Sequence, residues 1–324
     1  MNNFVKCLRF LLILPLFGCT KLVLTDNLAS DLHEALTKKS GFSDKENVSG
    51  GVDPAGANAI TPLPNGYSHN DYCHNRPLFD ALENGFMHIE ADIFLKNDKL
   101  IVAHVFPYFK DHRTLETLYL QPLSERITEY NGVVYPGYTT PITLVIDIKT
   151  NAYKTYNALK PLLEKYRSIL SGYENGEMVY RAVTIVLTGN KPYRSIESEH
   201  KRLAFIDEDL HKVNWNSVDK SVVIMASCKY SNILKWKGEG TIPSIEKDRI
   251  CKITAMGHKM GVKVRLWASP ENKAVWKELL NCGVDLINTD RLVALREYLT
   301  CQRQQTPVDR ELYLSSLEAV SNRP

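Results

Sequence analysis

Glu90 and Asp92 stand two residues apart in MHIEADIFL, and on a strand that spacing turns both carboxylates to one face. His88, Glu90, Asp92 and Phe94 share that face. Ile89, Ala91, Ile93 and Leu95 share the other, which is continuously apolar and has to be covered. Two like charges side by side are costly unless a cation or solvent meets them, so the pattern fits a strand end that holds a hard metal ion. The surrounding stretch adds His69, Asn70 and His104, and imidazoles titrate near neutral pH, as proton transfer requires. In ITLVIDIKT, Thr143, Val145, Asp147 and Lys149 face one way and four isoleucines and leucines the other. In VKVRLWAS, Lys263, Arg265, Trp267 and Ser269 lie opposite Val264, Leu266 and Ala268. Taken singly, each feature has a plain reading: a hydrogen-bonded histidine, a solvated strand end, an ion pair between Asp147 and Lys149, or packing by Arg265 and Trp267. Their joint occurrence on faces of one type is what points to a site.

The elements that carry these residues read as alternating strands and helices. Strands are expected at 66–70, 88–95, 100–104, 142–150, 182–188, 203–206, 222–226, 262–268 and 286–288, and helices at 77–84, 152–170, 245–260, 271–282 and 292–301. The strand at 100–104 reads as the return arm of a hairpin turned at 96–99. The other eight are the number an α/β (β/α)₈ TIM barrel needs, and 63–301 is close to the roughly 250 residues such barrels use. The polar groups gather toward strand C-terminal ends, where barrel active sites lie.

Lys and Arg number 40 against 37 Asp and Glu, so no polyanion-binding surface is implied and nucleic acid is not an expected partner. The apolar content of 44% supplies a sizeable core. Lys6 and Arg9 precede an apolar run over 10–17 and then Gly18-Cys19, the layout of a secretory signal. The run is too short to span a bilayer, which takes roughly 20 residues. Leu16-Phe17-Gly18-Cys19 resembles the lipobox of bacterial lipoproteins, which implies a signal peptide over 1–18, a lipidated Cys19 and a tether over 19–62. The expectation is an exported bacterial lipoprotein, membrane-anchored in the periplasm or at the cell surface, with a soluble secreted protein as the alternative. Loss of 1–18 removes Lys6 and Arg9 and lowers the formal charge from +3 to +1. Residues 302–324 read as a polar extension. Cys73, Cys228, Cys251, Cys282 and Cys301 are odd in number and irregular in spacing, so isolated buried thiols are expected rather than disulfides or a zinc site.

Asn70-Asp71, Glu90-Ala91-Asp92, His104 and Asp147-Ile148-Lys149, in that order, resemble the phospholipase C-like phosphodiesterase superfamily. Trp267 followed by GVDLINTD over 283–290 is similar to the end of glycerophosphodiester phosphodiesterases. SHNDY and IEADIFL resemble the branch typified by altered inheritance of mitochondria protein 6. The resemblance implies a barrel that hydrolyses phosphodiesters with a divalent metal, Ca²⁺ or Mg²⁺. It makes His69 and His104 the acid/base pair and Glu90, Asp92 and Asp147 metal ligands, with Asn70 a fourth. Lys149 would contact phosphate, and Arg265 and Trp267 would line the pocket, with Tyr72 a further substrate contact. The implied partner is a phosphodiester small molecule or lipid headgroup, beside a membrane met through Cys19. Glycerophosphodiesterases have Arg-Gly where Asn70-Asp71 stands, Glu in place of Asp147 and Asp after the second histidine, where this chain has Val105. Their Pro-Glu-Asn segment is not recognisable around Arg76-Pro77. Those departures leave open a binding lipoprotein that does not cleave its ligand, and a lyase that forms a cyclic phosphate.

Overall fold

The computed structural model describes residues 60–104 and 110–305. The expected signal, Cys19, most of the tether and most of the C-terminal extension lie outside the described residues. In chain order the strands are β1 (Leu63–Ser68), β2 (Phe86–Lys96), β3 (Lys99–Val102), β4 (Ile142–Ile148), β5 (Gly172–Glu174), β6 (Glu177–Val179), β7 (Val183–Gly189), β8 (Ala204–Asp209), β9 (Val223–Lys229), β10 (Lys263–Trp267) and β11 (Ile287–Thr289). The α-helices among the described residues are α1 (Phe79–Glu83), α2 (Gln121–Glu129), α3 (Ala152–Lys165), α4 (Tyr193–Ser198), α5 (Ser244–Lys259), α6 (Lys273–Asn281) and α7 (Leu292–Gln305).

Eight strands run in the order β10-β9-β8-β7-β4-β2-β1-β11, each parallel to its neighbours. A parallel bridge from Arg265 to Leu286 joins the last strand to the first, and the Asp285 and Leu286 amides both donate to the Val264 carbonyl. The sheet is therefore closed into the expected (β/α)₈ barrel. β3 pairs antiparallel with β2, Lys96 opposite Lys99, and turns through left-handed Asn97 and Asp98, residues that tolerate that conformation in a two-residue hairpin.

The two faces of the strands separate as their alternation requires. Ile89, Ala91 and Ile93 of β2 join Leu144, Ile146 and Ile148 of β4 in the core shared with the helices. Tyr67, Val145, Val186, Phe205, Met225 and Leu286 form a second cluster inside the ring. Because β2 and β4 are neighbours in register, Asp92 sits directly beside Asp147. The Asn151 side chain caps α3 by accepting from the Lys154 amide at 3.0 Å, which keeps the connection after β4 to three residues.

Several elements depart from the sequence reading. The β5–β6 hairpin has three-residue arms, too short for periodicity to register. β8 runs on to Asp209, which adds an inward position at Asp207. The helix expected over 152–170 stops at Lys165 before a 3-10 turn over Arg167–Ile169, and α7 continues to Gln305.

The cysteine expectation is corrected. Cys251 on α5 and Cys282 after α6 form a disulfide, 31 residues apart in sequence with Cα atoms 4.4 Å from each other. The pairing is set by two helices meeting on the barrel surface, a contact that spacing does not encode. Cys228 is the buried thiol, while Cys73 and Cys301 are exposed. Closing a loop of this length stabilises a fold by about 3–4 kcal/mol in the chain-entropy account. The double variant Cys251→Ser/Cys282→Ser is expected to lose that amount in urea unfolding, and the wild type to lose it on reduction; equal midpoints would contradict the cross-link.

Candidate active site

All nine expected site residues line one cavity of about 460 Å³ at the C-terminal mouth of the barrel: His69, Asn70, Glu90, Asp92, His104, Asp147, Lys149, Arg265 and Trp267. Glu90 and Asp92 are buried on the inward face of β2, and Asp147 reaches the same point from β4. Gly189 makes room for Asp147. Its φ is +70°, and a Cβ there would overlap Asp147 Oδ1 and lie 2.8 Å from the Ile148 carbonyl oxygen.

One ligand oxygen from each of Glu90, Asp92 and Asp147 lies within 4.8 Å of the others, a span that two Ca–O bonds of about 2.4 Å bridge. Glu90 Oε2, Asp92 Oδ1 and Asp147 Oδ1 are buried without a hydrogen-bond partner, and orphaned buried oxygens are costly. The donor set fits a hard divalent cation: oxygens only, no thiolate, and an imidazole on either flank.

Lys149 Nζ bridges Asp92 Oδ2 at 2.9 Å and Asp147 Oδ2 at 2.7 Å. Burial pulls its pKa down, but those two carboxylates outweigh burial and hold it above the usual lysine range. Burial pushes Asp92 up to about 6, against the opposing pull of Lys149 and with the support of Asp147 and Glu90. A buried carboxylate at that value is one for which protons and a metal compete near neutrality.

The histidines are held from Nδ1 by different partners. His69 Nδ1 lies 2.7 Å from Asp290 Oδ1. Burial lowers the His69 pKa, yet the Asp290 hydrogen bond and the charges of Glu90 and Asp290 leave it above its ordinary value. His104 Nδ1 lies 3.0 Å from the Tyr72 hydroxyl and 3.9 Å from Asp92 Oδ2. That hydroxyl donates to Asn70 Oδ1 at 2.7 Å, so Tyr72, expected as a substrate contact, is instead engaged within the protein. Asn70 adopts the left-handed conformation, φ 47° and ψ 40°, which asparagine tolerates. Buried Asp71 fixes this turn by accepting from Ser68 Oγ at 2.9 Å, the Leu78 amide at 2.6 Å and the Tyr119 hydroxyl at 3.0 Å.

Arg265 lines the cavity from the barrel interior. Its guanidinium is 4% exposed and lies 3.5 Å from Glu90 Oε2, 3.4 Å from Asp207 Oδ2 and 3.1 Å from Asn288 Oδ1. It also stacks 4.1 Å from the Tyr67 ring centroid. Nη1 and Nη2 are turned to the barrel interior, where their charge balances Glu90 and Asp207, while Nε is buried without a hydrogen-bond partner. Trp267 stands at the rim, 38% exposed, with Lys229 Nζ 5.9 Å from its ring. His88 stays out of the cavity, stacked on Tyr67 with Lys263 Nζ at 3.2 Å.

Sequence reasoning assigned no role to Asp207, Gly189, Asp290 or Asn288. Asp207 shares the inward face of β8 with Phe205, a pattern visible once the strand is read to its end. Asp290 lies in GVDLINTD, but nothing local pairs it with His69, 221 residues away.

A model of the AIM6-like phosphodiesterase domain matches residues 57–207, and one of the glycerophosphoryl diester phosphodiesterase family matches residues 263–292. Altered inheritance of mitochondria protein 6 of Saccharomyces cerevisiae (strain YJM789) is 30% identical, the match covering 72% of this chain and 70% of that protein. Its counterpart in Lachancea thermotolerans is 28% identical over 72% of this chain and 65% of that protein, so the chain spans slightly less than two thirds of that relative's length. A solved glycerophosphodiester phosphodiesterase from Parabacteroides distasonis is a more distant likeness, with 14% identity and a TM-score of 0.48 over 76% of this chain and 98% of that one. These relatives overturn the localisation reading: the matching altered inheritance of mitochondria proteins are fungal, and a bacterial membrane-anchored lipoprotein is withdrawn. Among the described residues no helix is long and apolar enough to cross a membrane. On the sequence identity and coverage it shares with them, the chain belongs to the altered inheritance of mitochondria protein 6 family.

Proposed function

We propose that the protein is a metal-dependent phosphoric diester hydrolase acting on glycerophosphodiesters or phospholipid headgroups. The observation that carries this reading is the trio of orphaned buried carboxylate oxygens on Glu90, Asp92 and Asp147, set in one cavity with two imidazoles. Those three side chains would hold Ca²⁺ or Mg²⁺, with the Asn70 carboxamide oxygen as a fourth donor through its second lone pair. The cation, when bound, supplies charge stabilisation for a phosphoryl centre that gains negative charge during attack.

The protein's own groups do the rest. His104 takes the proton from the attacking water, and His69, kept protonated beside Asp290, gives one to the leaving alkoxide, so the proton count closes over the cycle. Lys149 meets a non-bridging phosphate oxygen, and Trp267 offers an aromatic platform for one ester arm. Purified protein is expected to cleave bis(p-nitrophenyl) phosphate or glycerophosphocholine, to lose that turnover in EDTA and to regain it with Ca²⁺ or Mg²⁺. A metal-replete protein inert toward a broad phosphodiester panel would remove the proposal.

A further inference from the structure

Among the described residues the carboxylate oxygen paired with His104 Nδ1 is Asp92 Oδ2, 3.9 Å away and beyond hydrogen-bond reach, so His104 needs another group to set its ring. We propose that the Tyr72 hydroxyl is that group: a positioning residue that fixes the orientation and tautomer of His104 and ties it to Asn70. The inference rests on the hydrolase reading for its kinetic consequence but not for its geometry.

A phenol has a single hydrogen to donate. Tyr72 gives it to Asn70 Oδ1 at 2.7 Å, so toward His104 Nδ1, 3.0 Å away, the same oxygen is the acceptor. With the Asn70 amide oriented so that Oδ1 meets Tyr72 and Nδ2 lies 3.1 Å from His69 Nδ1, neutral His104 carries its hydrogen on Nδ1. That leaves Nε2 with a lone pair, the form a proton acceptor needs. No carboxylate comes within hydrogen-bond reach of that Nδ1 among the described residues, since Asp92 Oδ2 is 3.9 Å away.

The hydroxyl is built in rather than incidental. Tyr72 is 4% exposed, although His104 itself is on the rim. Its backbone carbonyl accepts from Arg113 Nη2 at 2.6 Å, and its turn is locked by the three donors on Asp71. The rings of Tyr72 and His104 lie 6.3 Å apart at 32°, so the contact is made through the hydroxyl and not by stacking. A side chain so confined presents its oxygen at one point, as a group that orients another must.

Tyr72→Phe removes the oxygen and keeps the ring, which tests the proposal without emptying the site. In ¹⁵N-detected spectra of metal-free protein, with His104 assigned by the signal lost in His104→Gln, the wild type is expected in the Nδ1–H form and Tyr72→Phe in a mixture of tautomers. With diester substrate, kcat of Tyr72→Phe is expected to fall roughly 10- to 100-fold with KM within about 2-fold of wild type. An Nε2–H tautomer in the wild type overturns the proposal, as does an unchanged tautomer or an unchanged kcat in Tyr72→Phe. Should the wild type cleave no diester, the hydrolase reading fails while the tautomer measurement still decides this one.

Discussion

His69→Gln and His104→Gln should each lower kcat by about 10²–10⁴ at saturating metal, and the double variant should lose little more than the worse single. The non-additivity follows from the geometry. The two imidazoles line one cavity and serve opposite ends of one displacement, so removing either partner leaves the other with no concerted step to assist. Metal affinity should stay near wild type in both, because neither ring is counted among the ligands. The pH profile separates the two. Asp290 and Glu90 hold His69 above its ordinary pKa against the downward pull of burial. Asp290→Asn leaves burial to dominate, so the limb on which activity is lost with rising pH should move to lower pH. A profile that does not move, or native kcat in His69→Gln, would exclude the assignment of His69 as proton donor.

Asp147→Asn should weaken Ca²⁺ or Mg²⁺ binding by more than about 100-fold, since even partners behind the ligands of metal sites cost 10–100-fold when removed. Gly189→Ala should give a smaller loss of the same kind, about 10- to 100-fold, although it deletes no ligand. The added methyl would occupy the space of Asp147 Oδ1 on a backbone already at φ +70°, so the carboxylate must turn away from Glu90 and Asp92. Titration calorimetry with each cation, alongside circular dichroism to show a retained fold, distinguishes displacement from unfolding. Native affinity in Gly189→Ala would mean that Asp147 is not a ligand.

Much of this was legible in the chain because strands encode their faces. Alternation alone placed Glu90, Asp92, Asp147 and Lys149 inward, and the count of eight strands gave the ring that the Arg265–Leu286 bridge closes. The ends of elements were less legible. β8 was expected to stop at Ile206, which hid Asp207 and with it the charge partner that draws Arg265 into the interior. Residues joined only by closure of the barrel carried no local signal. His69 and Asp290 meet because β1 and β11 are neighbours, and Cys251 meets Cys282 because α5 and α6 pack side by side. Tyr72 shows a third kind of silence: SHNDY announces a site, but which of its side chains face substrate and which face one another depends on a turn with a left-handed asparagine.

Lys149 has a consequence for how the protein behaves between cations. With its ammonium spanning Asp92 and Asp147, the barrel carries a built-in placeholder that quiets most of the repulsion at its mouth. Under the proposed metal dependence, withdrawal of the ion should then leave a folded, dormant molecule rather than a collapsing one, and refilling the vessel with divalent salt should wake it without a refolding step.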